Sequence, residues 1–186
     1  MAKNRKFTVK IKRRRDKKTD YKMRLRLLSS KLPRVVIRSS LNNIQIQLIE
    51  YKPKGDIILL TVRSKDLIKL GWKYNSGNIP SSYLTGLLFG KKALALKHKE
   101  AILDIGLKHS VNGSRIYAAL KGIIDAGFKV PHNNKIFPSE DRIKGKHIID
   151  HFKKTRKQYD FKQLEKTTII EKMGEDLEKI KASITK

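Results

Sequence analysis

The chain has 186 residues, 44 Lys+Arg against 17 Asp+Glu, a formal net charge of +27 and no cysteine. The length suits one compact domain with appendages, and a 39% hydrophobic content is enough for one core. The missing cysteines exclude disulfides, thiolate metal sites and cysteine nucleophiles. So large a charge disfavours a compact state unless a polyanion neutralises it. Nucleic acid is the first choice, because each Lys or Arg at a phosphate releases condensed counterions. An anionic membrane surface is the competitor. No run approaches the ~18 apolar residues of a spanning helix, and no apolar signal segment follows the basic N-terminus. A soluble, intracellular, nucleic-acid-bound protein is expected.

Residues 1–34 hold 15 Lys+Arg and 2 Asp+Glu, nearly half of the whole excess. Lys10 to Lys18 reads KIKRRRDKK, with Ile11 its only apolar residue. Such a segment buries nothing and is expected to be disordered until its charges are matched. A solubilising tail or a localisation signal has the same composition. Beyond it, Tyr21 to Leu28 (YKMRLRLL) interleaves aliphatic and aromatic residues with Arg, which suits stacking and packing on RNA. Met23 and Leu27 fall i,i+4, as do Arg24 and Leu28, so a short helix can form there on RNA. Residues 1–33 read as a basic RNA-binding arm.

Residues 34–130 read as an α/β globular domain. Arg34 to Ser40 (RVVIRSS) has the β-branched content of a strand. Arg34, Val36, Arg38 and Ser40 share one face; Val35, Ile37 and Ser39 share the other. After the turn Leu41-Asn42-Asn43, NIQIQLIEY alternates, with Ile44, Ile46 and Leu48 opposite Asn43, Gln45 and Gln47. A turn at Lys52 to Asp56 leads into a third, more apolar strand, Ile57 to Ser64. Arg38, Asn43, Gln45 and Gln47 give the outer face donors and acceptors fit for RNA. Any half-exposed sheet needs polar outward residues as well.

A loop, Gly71 to Pro80, precedes a helix begun at Pro80 and running to about His98, with Leu84, Leu87, Leu88 and Ala95 on its apolar face. Gly86 and Gly90 permit close backbone approach, with packing on the sheet expected. Ala101 to Lys108 reads as a fourth strand. Ser114 caps a second helix that Gly127 stops. The fold class is α+β: a three-strand antiparallel meander extended by a βα crossover, in the order β-β-β-α-β-α. Helices on one face leave the other for RNA.

In the C-terminal region, 131–186, Pro138-Ser139-Glu140-Asp141 marks a short helix start. Ile170, Met173, Leu177, Ile180 and Ile184 form an a/d seam, interrupted by Gly174. A helix this short must dock on its own domain, a neighbouring protein or RNA. His147 and His151 lie i,i+4, but Ile148 stands where a zinc protease needs Glu, and no third ligand is apparent. No phosphate loop, serine elbow or assignable carboxylate cluster points to catalysis. No cofactor or metal is expected, and the chain reads as a non-enzyme. A magnesium-dependent nuclease and a nonspecific RNA chaperone are the rival readings.

Four blocks carry a resemblance. KRRRDKKTDYKMRLRLLSSKLPRVVIRSS, YNSGNIPSSYLTGLLFGKKAL, ILDIGLKHSVNGSRIYAALKGIIDAGFKVPHN and FPSEDRIKGKHI resemble, in order, the signatures of a universal large-subunit ribosomal protein family. It is number eighteen in the universal scheme, its eukaryotic members bear the old number five, and the likeness is to the archaeal and eukaryotic branch over about residues 10–150. The resemblance implies a cytoplasmic ribosomal protein of the central protuberance that binds 5S and 23S ribosomal RNA and neighbouring large-subunit proteins. It lays the arm's Arg13, Arg14, Arg15, Thr19, Tyr21, Arg24 and Arg26 along RNA, with Arg34, Arg38, Asn42 and Asn43 approaching it. Trp72, Asn78, Lys17 and Lys18 join them; Lys12, Ser40, Gln45 and Gln47 complete the candidate set. Lys17 stands where many members have Gly.

Overall fold

A computed structural model describes residues 9–156 and 170–185. The described part of the arm carries two short helices: α1 (Lys12–Arg15), within the run whose composition predicts disorder until its charges are matched, and α2 (Tyr21–Leu28), where the spacing allows a short helix. Local chemistry shapes both. Lys17 ends α1 at φ 52°, its amide donating to Arg14 and the Lys18 amide to Arg13. That is the left-handed stop glycine usually supplies. Asp20 then caps α2, its Oδ1 accepting from the Lys22 and Met23 amides.

β1 (Arg34–Ser39), β2 (Ile44–Glu50) and β3 (Ile57–Arg63) form the expected antiparallel meander. β4 (Ile102–Asp104) pairs with β1 in parallel, so the sheet runs β3-β2-β1-β4. β4 is shorter than the predicted 101–108. Gly106 turns the chain at φ 66°, and its amide donates to Asp104 Oδ1, so the strand ends at Asp104. Val35, Ile37, Ile44, Ile46 and Leu48 point into the core, as their alternation predicts, and Val62 joins them from β3, an edge strand that leaves Ile57 and Ile58 exposed.

Two helices cover that inner face: α3 (Ile79–Ala95) and α4 (Arg115–Asp125). Their crossing corrects one expectation. Gly86 and Gly90 face α4 and not the sheet: a Cβ on Gly86 would lie 2.0 Å from the Ala119 carbonyl oxygen, and one on Gly90 2.9 Å from that of Ile123. Gly122 answers from α4, where a Cβ would lie 2.1 Å from the Tyr83 carbonyl oxygen. The two backbones touch.

α3 stops at Ala95, short of His98, because Lys97 adopts φ 63° and its amide and that of His98 turn back to Leu94 and Ala93. A left-handed non-glycine residue costs about 1–2 kcal/mol, partly offset by the greater freedom glycine has in the unfolded chain. Lys97→Gly is therefore expected to stabilise the protein by up to about 1 kcal/mol, read as a rise in urea midpoint at unchanged m-value. Gly127, at φ 92°, ends α4 as its sequence position predicts.

The C-terminal region holds α5 (Glu140–Ile143), α6 (Lys146–Arg156) and α7 (Met173–Thr185). The seam residues Met173, Leu177, Ile180 and Ile184 are buried in a second core with Leu67, Trp72, Tyr83, Leu84 and Leu87. Of the docking choices left open by the heptad pattern, α7 takes its own domain and packs on α3. Tyr74 donates to Asp176 and Tyr83 to Asp125, each at 2.8 Å. Burial first, and the neighbouring carboxylate second, push both phenols above their ordinary pKa. Among the described residues, no helix is long and apolar enough to cross a membrane.

Candidate nucleic-acid interface

The outer face of the sheet is not bare. α2 lies across its β1–β4 side, so that Met23 and Leu27 line a cleft with Val36 and Ile49. This explains why Val36 and Ile49 are buried although they point away from the main core. The arm is thus joined to the sheet by its own second half, with α1 and the loop after it at the cleft's rim.

A chain of ion pairs runs through the cleft. Arg24 on α2 donates from Nη2 to both oxygens of Asp56, each at 2.8 Å. Arg34 reaches Asp56 at 2.7 Å and Asp104 at 2.9 Å. Arg38 reaches Asp104 Oδ1 at 3.0 Å and also donates to the Asp104 and Ile37 carbonyls. Three guanidinium groups and two carboxylates alternate, tying α2, the β2–β3 turn, β1 and β4. The expectation for Arg34 changes with this geometry. Its side chain is only 4% exposed and is engaged with both carboxylates, so it holds the face together and offers no surface to phosphate. Arg38 is committed on one side and 46% exposed on the other.

Away from α2 the face opens. The register aligns Arg38, Gln45 and Arg63 in one row across β1, β2 and β3. Ser40, Asn43 and Lys65 border the same groove. Gln47 lies in the next row and donates to Thr61 at 3.2 Å. Guanidinium, ammonium and carboxamide groups on one shallow surface suit phosphate and ribose or base edges. Arg63 and Lys65 were passed over in the sequence because the third strand reads as mostly apolar. Their signal was positional: Arg63 falls on the outward parity once the β2–β3 register is known.

The remaining candidates divide by exposure. Lys12, Arg14, Arg15, Lys17, Lys18 and Arg26 stand in solvent, with Lys18 in a loose pair with Asp16 at 3.7 Å. Tyr21 is half-buried. Arg13 donates to Thr19 at 3.0 Å, so the two brace the link between α1 and α2. Asn42 is exposed at the β1–β2 turn, which Ser40 and Asn43 close by mutual hydrogen bonds. Arg115 fastens that turn to the following loop through the Leu41 and Gly77 carbonyls.

Trp72 and Asn78 are engaged within the fold. The Trp72 ring is 2% exposed, meets Tyr74 edge-on and donates to the Asn75 carbonyl. A base cannot stack on it in this fold. Asn78 is the N-cap of α3, its Oδ1 accepting from the Ser81 amide and its carbonyl from the Ser81 and Ser82 hydroxyls. In this fold the Trp72 ring packs in the second core and the Asn78 side chain starts α3.

No cluster of metal-ligating side chains occurs among the described residues. His147 and His151 sit on α6; burial and the Arg142 guanidinium hold the His147 imidazole below its ordinary pKa, against the pull of Asp150.

The family model for "Ribosomal large subunit proteins 60S L5, and 50S L18" matches residues 5–100 and 95–133. The chain belongs to this family. Relatives named large ribosomal subunit protein uL18 agree. The protein of Methanococcus maripaludis is 44% identical over 190 residues, covering 99% of this chain and 98% of the relative. That of Methanothrix thermoacetophila is 52% identical over 151 residues, covering 81% and 89%. That of Methanococcoides burtonii is 48% identical, covering 81% and 87%. The Methanococcus match extends past the blocks recognised in the sequence and includes the C-terminal region. The chain is a structural protein of the large ribosomal subunit and not an enzyme.

Proposed function

We propose that this chain binds 5S ribosomal RNA and attaches it to 23S ribosomal RNA in the central protuberance of cytoplasmic ribosomes, beside neighbouring large-subunit proteins. The observation that carries the reading is the joining of a strongly basic arm to a polar-faced sheet through α2. The solvent-facing cations of the arm meet phosphates and supply affinity. The row Arg38–Gln45–Arg63 and the exposed turn at Asn42 and Asn43 supply shape-dependent and edge contacts. The labour divides as an arm over 1–33, a globular RNA-binding domain over 34–130, and a C-terminal region over 131–186 that braces α3.

The test is a salt series of gel retardation with 5S ribosomal RNA and an unrelated RNA of equal length. The full chain is expected to prefer 5S RNA. Deletion of residues 1–33 is expected to weaken binding by roughly a hundredfold or more and to flatten the plot of log K against log salt, since each lost phosphate contact removes about 0.7–0.9 from the slope. Equal affinity of the intact chain for both RNAs defeats the 5S assignment.

A further inference from the structure

An acidic residue at a phosphate-binding surface opposes the ligand, and its removal ordinarily tightens RNA binding. Asp56 lies on such a surface, in the cleft beneath α2. Yet both its oxygens accept from Arg24, and Oδ2 also accepts from Arg34. We propose that Asp56 is a positioning residue for RNA binding: it clamps Arg24 and so holds α2 across the sheet before RNA arrives. This rests on the RNA-binding reading above.

Three features support the clamp. α2 has eight residues, below the length at which a helix persists unaided. Its apolar contact is partial: Leu27 and Leu28 are half-buried, while Met23 and Leu25 are largely exposed. Among the described residues, the Arg24–Asp56 pair is the side-chain hydrogen bonding that links α2 to the sheet. The far side of the clamp is firm, because Arg34 is buried and held in turn by Asp104 at 2.9 Å. An arm already ordered loses less conformational freedom on binding. The clamp therefore favours association even though its anion faces the wrong way for a phosphate.

The sign of the effect separates this from simple electrostatics. The full chain, Asp56→Asn, Arg24→Gln and the double variant are titrated with Methanococcus maripaludis 5S ribosomal RNA across a salt series. Amide exchange of the free proteins is followed at residues 21–28 and in the core strands. Asp56→Asn is expected to weaken binding roughly tenfold at unchanged salt slope, with exchange in 21–28 accelerated well beyond that in β1 and β2, where Arg34 keeps Asp104. Arg24→Gln is expected to lose about as much, and the double variant no more than either single one. Tighter binding by Asp56→Asn, additive losses in the double variant, or a loss of protection in β1 and β2 as large as that in 21–28 would each overturn the proposal. If Asp56→Asn does not fold, Arg24→Gln decides alone: unchanged exchange in 21–28 overturns it. Failure of the intact chain to prefer 5S RNA sinks the 5S reading, while the clamp is still judged by exchange and by the order of the variants on either RNA.

Discussion

Gly122→Ala is expected to lower stability by at least about 3 kcal/mol, the upper end of overpacking costs. In a chain of this size that is a fall of roughly 10 °C in melting temperature. The methyl group would sit 2.1 Å from the Tyr83 carbonyl oxygen and 2.8 Å from the Leu87 amide nitrogen. Both obstacles are backbone inside α3, so neither can swing aside as a side chain does. Relief requires α3 and α4 to separate, and that opens the packing of Phe89, Leu120 and Ile123 beneath the sheet. Gly86→Ala meets the Ala119 carbonyl oxygen at 2.0 Å and should fall by as much. Gly127→Ala is the control. Its cost is the left-handed φ of 92° with only the Leu94 side chain, at 3.8 Å, nearby, hence about 1–2 kcal/mol. Thermal denaturation of the three variants checks the ranking; equal losses at all three would remove the backbone contact as the cause.

These glycines also show what the sequence could and could not reveal. Spacing showed that Gly86 and Gly90 serve close approach, because only a missing side chain explains two glycines one turn apart in an apolar helix. It did not show what approaches. That depends on the crossing of α3 over α4, and the matching gap at Gly122 has no signature of its own in a sequence. The meander was legible for the opposite reason: alternation in Ile44 to Leu48 is local and two-valued, and the strand pattern fixes which residues face inward. Polarity was a weaker guide at the outer face. Arg34 and Arg38 share parity and type, yet the β2–β3 turn brings Asp56, and β4 brings Asp104, to the first of them. Carboxylates 22 and 70 positions along the chain from Arg34 decide its role, and nothing near Arg34 announces them. Trp72 is a similar case, since the second core that encloses it draws on α3 and α7, far along the chain.

Arg34→Ala is accordingly expected to destabilise the fold by about 3–5 kcal/mol, the cost of breaking a buried ion pair from one side. Asp104, nearly buried itself, would keep only Arg38 and the Gly106 amide. Asp56 would keep Arg24 alone. The informative companion is Arg34→Lys. If Arg34 served phosphate as an isolated charge, lysine would replace it with little loss. Here one guanidinium spans two carboxylates, through Nη1 to Asp104 and Nη2 to Asp56, and a single ammonium cannot reproduce that fork. Arg34→Lys should therefore recover less than half of the stability lost in Arg34→Ala, as read from urea midpoints in the absence of RNA. A lysine variant as stable as the parent would return Arg34 to the phosphate-binding set and leave the ion-pair chain without its central member. The same logic explains why three arginines and two aspartates stand where three cations alone would attract RNA more strongly. Uncompensated, the guanidinium groups of Arg34 and Arg38, on one face of β1 and both within reach of Asp104, would repel each other, and α2 would have no anion to hold it. The aspartates give up part of the field so that the surface bearing the rest of it has a fixed shape.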